Sequence, residues 1–344
     1  MQAKARLSSS PVRIGPHALP NPVLLAPMAG ITDAPVREMA LRYGAGLVVS
    51  EMVASEALLD GHAEMNLKTA RSGDALHAVQ LAGNDPRWMA EAARFAAGQG
   101  ADIIDINMGC PAKRVTTGAA GSALLRDVPL AVAILEAVRS AVGVPVTLKT
   151  RLGWDGSETV APRLARLAQE IGISLVTIHG RTRCQFYTGA ADWAAIRAVK
   201  DAVAIPVIAN GDLTCCAHAT AMLDASGADG VMIGRGAQGR PWFPGRVASF
   251  LATGVEPAEP PLAEQRDVLL ELFDGWLSLY GTALGVRQAR KHVGWALEAG
   301  AHSACRPAEW VKAWRARLLT MEDPNMVKAG IVDAYDDLSW RAAA

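Results

Sequence analysis

Short apolar runs alternate with amphipathic stretches along the first 250 residues of this chain. The runs Val23–Ala26, Gly46–Ser50, His77–Ala82, Asp102–Asn107, Val146–Thr150, Leu175–His179, Val207–Asn210 and Gly230–Gly234 read as buried strands. Helices between them begin at recognisable caps. Asp33 opens one. Asn84-Asp85-Pro86 opens another, with Asp as cap and Pro in the first turn. Asp127 opens a third, whose Leu130, Ile134, Leu135 and Val138 fall on one face, and Thr214 can cap a helix running through Met222. Eight strand–helix units over about 240 residues predict an α/β (β/α)8 TIM barrel, with an open parallel sheet as the alternative.

Ahead of the barrel, Val12–Pro22 is turn-rich and predicts a short hairpin, so the barrel region spans 12–250 and residues 1–11 form a flexible segment. After Phe250 the pattern changes. The proline-rich stretch Thr253–Pro261 marks a linker, 251–262. Beyond it Leu269, Phe273, Trp276 and Tyr280 recur at helical spacing. Further helices are expected at about 284–299, 307–320 and 324–338, with Pro307 and Pro324 at starts. Residues 263–344 therefore predict a small all-α bundle.

Composition adds limits. With 344 residues, 51% hydrophobic, the chain can bury one large core and a smaller one. Thirty-four basic residues balance thirty-four acidic ones, so a nucleic acid or membrane must be met by a local patch. Five cysteines (Cys110, Cys184, Cys215, Cys216, Cys305) without a CxxC pair predict neither disulfides nor a metal site. No signal peptide or membrane-spanning run is visible, and the expectation is a soluble, cytoplasmic monomer.

The candidate chemistry sits at strand ends, which in a barrel meet on one rim. Pro27-Met28-Ala29 follow the first strand and Glu51 the second; Gln80 lies in the third. Asn107 and Cys110 follow the fourth, and Lys149 and Arg151 belong to the fifth. His179 ends the sixth, Asn210-Gly211-Asp212 the seventh and Gly234-Arg235 the eighth. Singly, each has a bland reading: Asn107 as a turn residue, His179 as a structural histidine, Cys110 as a small apolar group. A barrel that is only a scaffold has no need of a lysine, a histidine and two asparagines on one rim. Around Cys110, Gly109 is expected to take the backbone angles of a tight turn and Pro111 to stiffen its exit.

The loops after strands seven and eight are a common phosphate site in this fold. Their glycines let backbone N–H groups approach an anion, and Arg235 can add charge-assisted bonds. Lys149 places a positive charge beside an electron-rich ring. The set suits flavin mononucleotide (FMN) and equally a sugar phosphate.

Seven motifs, in order from about residue 12 to 320, resemble the bacterial tRNA-dihydrouridine synthases. They are Ala26-Pro-Met-Ala-Gly-Ile-Thr-Asp33, Asp105-Ile-Asn-Met-Gly-Cys-Pro111, Val146-Thr-Leu-Lys149, Thr177-Ile-His-Gly-Arg-Thr-Arg183, Ile208-Ala-Asn-Gly-Asp212, the stretch Ile233–Trp242 and Arg290-Lys-His-Val-Gly-Trp295. The details are most similar to the DusB-type branch. The resemblance implies a flavin-containing barrel, a helical tRNA-binding domain, and reduction of a D-loop uridine, position 17 on the branch likeness, with NADPH. Residue by residue it implies FMN contacts for Pro27, Met28, Ala29, Gln80, Lys149, His179, Asn210, Gly211, Asp212, Gly234 and Arg235. It implies a catalytic Cys110 and an Asn107 that faces flavin and uracil. Thr116-Thr-Gly-Ala-Ala120, after Lys113-Arg114, departs from the family pattern, which bears on RNA contacts of that loop and not on the chemistry.

The chemistry can be followed through. Hydride at C6 of uracil puts negative charge on C5 and O4, and C5 then needs a proton. Ordinary thiols titrate near pH ~8.5 and are mostly protonated at neutral pH. Cys110 is thus read as the general acid. Arg181 and Arg183 are candidates for neighbouring phosphates. A uridine inside folded tRNA must be extruded, so RNA contacts away from the rim are needed. Between 287 and 317, Arg287, Arg290, Lys291, Arg306, Lys312, Arg315 and Arg317 face only Glu298 and Glu309, a local basic patch. Trp295, Trp310 and Trp314, interleaved with it, are read as core in preference to stacking platforms. Two rivals remain: a small-molecule dihydropyrimidine or dihydroorotate-type flavin oxidoreductase, for which a basic helical domain has no use, and a tRNA chaperone without catalysis, for which Cys110 and Lys149 have none.

Overall fold

A computed structural model describes residues 11–342; the segment expected to be flexible lies, but for Pro11, outside the described residues. The hairpin is present, with β1 (Arg13–Ile14) antiparallel to β2 (His17–Ala18). Nine parallel strands follow: β3 (Val23–Leu25), β4 (Leu47–Val48), β5 (Val53–Ala54), β6 (Ala78–Ala82), β7 (Ile103–Met108), β8 (Val146–Arg151), β9 (Leu175–His179), β10 (Val207–Asn210) and β11 (Gly230–Ile233). Their order is β4-β3-β11-β10-β9-β8-β7-β6-β5. The sheet closes on itself, because Val49 bridges Ala78 and Ser50 N–H donates to Ala78 O at 2.9 Å. β4 and β5 are thus two pieces of the second of eight barrel strands. The ladder breaks between them where Ser50 Oγ, in place of a backbone carbonyl, takes the Gln80 N–H (3.0 Å).

The caps at Asp33, Asp85 and Asp127 accept from Val36, Arg87 and Leu130 N–H as expected. Thr214 does not cap. The helix begins at Cys216 after Cys215, and the Thr214 hydroxyl lies 3.2 Å from His218 Nδ1. Ala131, not Leu130, completes the buried stripe with Ile134, Leu135 and Val138.

Residues paired in register across parallel strands share a face. Gln80, Asp105 and Thr147 lie side by side, Asn107 pairs with Lys149, and Arg151, His179 and Asn210 form one row. The same faces carry Ala78, Ile103, Leu175 and Ile208, which cluster with Leu24, Leu47 and Met232 against Ile14 and Leu19 of the hairpin region. The barrel interior is therefore apolar where the hairpin plugs it and polar toward its carboxyl mouth.

The chain forms two compact units, residues 11–236 with 244–256, and 237–243 with 257–342. The second holds the helices Leu262–Tyr280, Thr282–Ser303, Ala308–Leu318 and Pro324–Ala342. At the expected linker the helix Phe243–Thr253 runs through the first residues, and Glu259 accepts the Trp242 indole N–H at 2.5 Å.

Candidate active site

A cleft of about 530 Å³ opens at the carboxyl ends of β3, β8, β9, β10 and β11. Pro27, Met28, Lys149, His179, Asn210, Gly211, Asp212, Gly234 and Arg235 line it, nine of the eleven positions implied for the cofactor. Ala29 is exposed outside the lining, and Gln80 is buried inside the barrel.

The wall after β10 is shaped by Gly211. Its φ is +125°, and a Cβ there would stand 2.6 Å from Ala191 Cβ and 3.0 Å from the His179 ring, so no other residue fits. Asp212 follows at φ +55°, an unusual angle for a residue with a side chain. Four donors hold it: Arg181 Nη1 (2.9 Å) and Nη2 (2.5 Å), Ala191 N–H (2.8 Å) and Arg235 Nη2 (3.1 Å). Burial raises the Asp212 pKa, but these bonds and the two guanidinium charges outweigh it and leave the carboxyl below its ordinary range. The carboxylate is thus taken up by the two arginines and the Ala191 N–H. Arg181, expected to meet RNA phosphates, is 1% exposed. Its guanidinium also donates to Thr188 O and Gly189 O, so it supports Asp212 from behind.

Lys149 is half-buried, with Nζ 3.2 Å from Asn210 Oδ1; Asn210 Nδ2 in turn donates to Met232 O (2.8 Å). Dehydration first, and then the charge of Arg151, push its pKa down to about 8, against the opposing pull of Asp105 and Cys110. His179 is pushed down to about 2, by burial and then by Lys149, Arg151, Arg181 and Arg235. It is therefore a neutral imidazole, and Arg181 Nη1 lies 3.3 Å from its Nε2.

Cys110 sits on the turn after β7, half-buried. Asn107 Oδ1 accepts the N–H groups of Gly109 (3.2 Å) and Cys110 (2.9 Å). Ser122 Oγ donates to Cys110 O (2.9 Å) and Arg151 Nε to Gly109 O (2.8 Å). The turn differs from expectation in one respect. Gly109 does not take a positive φ; the turn passes close to β8, where a Cβ would press against the Thr150 backbone at 3.3 Å.

Arg183 is half-buried with its guanidinium 4.7 Å from the Trp154 ring centroid. In the helical unit, Arg287 is exposed; Arg290 Nη2 lies 3.5 Å from Met321 O, and Lys291 Nζ donates to Gln288 Oε1 (2.7 Å). Trp310 is buried and shares Asp337 Oδ2 with the half-buried Trp314, in keeping with a packing role. Sequence reasoning missed Tyr187, His218 and Leu213, which also line the cleft. Tyr187, 45% exposed, has Arg235 4.6 Å and Arg151 5.6 Å from its ring centroid, and no motif surrounds it in the sequence. Among the described residues no group of three or more His, Cys, Asp or Glu is placed to hold a metal, and no helix is long and apolar enough to cross a membrane.

Comparison with known proteins adds five findings. A family model described as dihydrouridine synthase (Dus) matches residues 24–332. A probable tRNA-dihydrouridine synthase of Rhizobium leguminosarum bv. phaseoli is 51% identical over 316 residues, 92% of this chain and 96% of its own. The tRNA-dihydrouridine synthase B of Pseudomonas putida is 49% identical over 323 residues, 94% of each chain. Among solved structures, histamine dehydrogenase from Rhizobium sp. 4-9 superposes with a TM-score of 0.54 at 14% identity, covering 84% of this chain and 51% of that one. The 6-hydroxypseudooxynicotine amine oxidase of Pseudomonas geniculata N1 gives 0.56 at 14% identity, covering 78% and 53%. This chain spans about half the length of those two structures, and what it shares with them is the barrel fold. The match of the family model across both units, together with relatives near half identity over 94% and 96% of their length, places the chain: it belongs to the dihydrouridine synthase family.

Proposed function

We propose that this protein reduces a uridine in the D-loop of tRNA to 5,6-dihydrouridine, at position 17, with FMN as bound cofactor and NADPH as reductant. The observation that carries the reading is the mouth of the barrel, where Lys149 and a neutral His179 line one cleft and Lys149 pairs in register with Asn107, which holds the turn of Cys110. The relatives named above act on tRNA by their names.

FMN fits the residues present. The cleft volume falls within the ~300–1,000 Å³ usual for small-molecule sites. Arg235 and the backbone of Gly211 and Gly234 suit the phosphate; Pro27, Met28, Lys149, His179 and Asn210 suit the rest. When bound, the flavin supplies the hydride that reduces C6. The ammonium of Lys149 stabilises negative charge beside it, and the neutral His179 hydrogen-bonds without adding a further charge. Cys110 donates the proton that completes C5. Asn107 has one amide hydrogen beyond its internal bonds to offer uracil. Arg181 keeps Asp212 and Arg235 in place.

Extrusion of the uridine requires a grip on the RNA backbone, which Arg287, Arg290 and Lys291 of the helical unit, with Lys312, supply; Arg183 adds a contact at the rim. The enzyme works as a cytoplasmic monomer without metal. The test is incubation of purified protein with NADPH and unmodified tRNA transcript, then digestion and mass spectrometry, with free uridine as a parallel substrate. Dihydrouridine in tRNA and not in the free nucleoside is expected. Equal reduction of free uridine would instead identify a small-molecule pyrimidine reductase.

A further inference from the structure

Cys110, the proton donor of the proposed reaction, is connected to a carboxylate that never reaches the cleft. Asp105 lies two residues before Asn107 on β7, on the same inward face, and is 4% exposed. Thr147 Oγ1 donates to its Oδ1 and Gln80 Nε2 to its Oδ2, both at 2.6 Å. Gln80 Oε1 then accepts from Asn107 Nδ2 at 2.8 Å. Asn107 Oδ1 accepts from the N–H of Cys110 at 2.9 Å and of Gly109 at 3.2 Å. All three linked side chains are buried, so water does not compete for these bonds.

The chain has a direction, and chemistry fixes it. The backbone N–H groups of Gly109 and Cys110 can only donate, so Asn107 must face the turn with Oδ1. Its NH2 then goes to Gln80 Oε1, and the NH2 of Gln80 is left to donate to Asp105 Oδ2. Burial outweighs the bonds from Thr147 and Gln80 and the charge of Lys149 and leaves the Asp105 carboxyl above its ordinary range, but an oxygen of either protonation state can accept from Gln80. A reversed Asn107 amide would set NH2 against two backbone N–H groups.

We propose that Asp105 is a positioning residue for Cys110: it supplies the terminal acceptor that the one-way chain through Asn107 and Gln80 requires, and thereby holds the turn that aims the thiol. This rests on the role of Cys110 given above, but its physical consequence can be read without tRNA. Asp105→Asn has the same shape but one carbonyl oxygen in place of two, so Gln80 and Thr147 can no longer each donate to an oxygen of its own.

The test is the rate at which iodoacetamide alkylates Cys110, followed on its own peptide by mass spectrometry in the flavin-loaded protein. It is paired with kcat and KM for tRNA. In Asp105→Asn the alkylation rate is expected to change about three-fold or more, and kcat to fall on the order of ten-fold with KM unchanged, the scale of a misaligned reacting group. In an Asn107→Ala background the same substitution should change alkylation no further, because the link is already cut. Wild-type alkylation in Asp105→Asn, or effects of the two substitutions that simply multiply, would overturn the proposal. Asp105→Ser, which leaves room for a water of either polarity, is judged by the same readings should Asp105→Asn not accumulate. A shifted alkylation rate in a protein that never reduces tRNA would leave the relay standing and remove the tRNA reading instead.

Discussion

The barrel mouth and the helical unit both concentrate cationic side chains, and they use them in opposite ways. In the mouth, Arg181 and Arg151 are 1% exposed and their donors are spent on Asp212 and on backbone carbonyls of the loops. Lys149 and His179 are displaced to about 8 and about 2. In the helical unit, Arg287 and Lys312 stand in solvent, and Arg315 and Arg317 form exposed pairs with Glu298 and Asp333. Even the buried histidines differ. His179 is kept neutral by burial and four cations, while His292, pushed down to about 3 by burial and then Lys291, stacks on Trp276 with centroids 4.4 Å apart. Charge that is dehydrated and fixed can steer a reaction; charge left in water attracts a polyanion and little more.

The largest effect expected is in the mouth. Cys110→Ser should slow dihydrouridine formation by about 100-fold or more, the usual scale for a lost general acid, while visible absorbance shows unchanged flavin content. Next comes pH. Lys149 is charged below and neutral above its pKa of about 8. Turnover should therefore fall as pH rises through that value, and the slower Lys149→Met enzyme should lose that component of the alkaline limb. A smaller change belongs to the helical unit. The double variant Arg287→Ala, Lys312→Ala should weaken tRNA binding and make the salt dependence of log Kd shallower by about one unit per cation removed, as for phosphate contacts. The smallest is Glu298→Gln, which releases Arg315. Thermal unfolding should register no more than ~0.5 kcal/mol, since the pair is solvent-exposed, with tRNA binding slightly tighter.

The rim was legible in the sequence because a parallel barrel brings every strand end to one place, so Lys149, His179, Asn210 and Arg235 could be grouped before their contacts were known. Asp105 was hidden by its neighbours. Ile103, Ile104 and Ile106 make the segment read as uniformly apolar, and only the two-residue alternation puts Asp105 with Asn107 inside. Arg181 looked like a rim cation because sequence does not reveal that Asp212, 31 positions later, folds back to meet it. Thr214 had the right chemistry for a cap and the wrong position by one residue. Tyr187 reaches the cleft from a loop whose course no local pattern dictates.

The most direct measurement of this division of labour is a crossed one, in which kcat for uridine reduction and Kd for tRNA are both determined for Cys110→Ser and for Arg287→Ala, Lys312→Ala. Loss of kcat with unchanged Kd is expected in the first, and raised Kd with unchanged kcat in the second. If both quantities moved together in either variant, chemistry and RNA binding would not be divided between the barrel mouth and the helical unit.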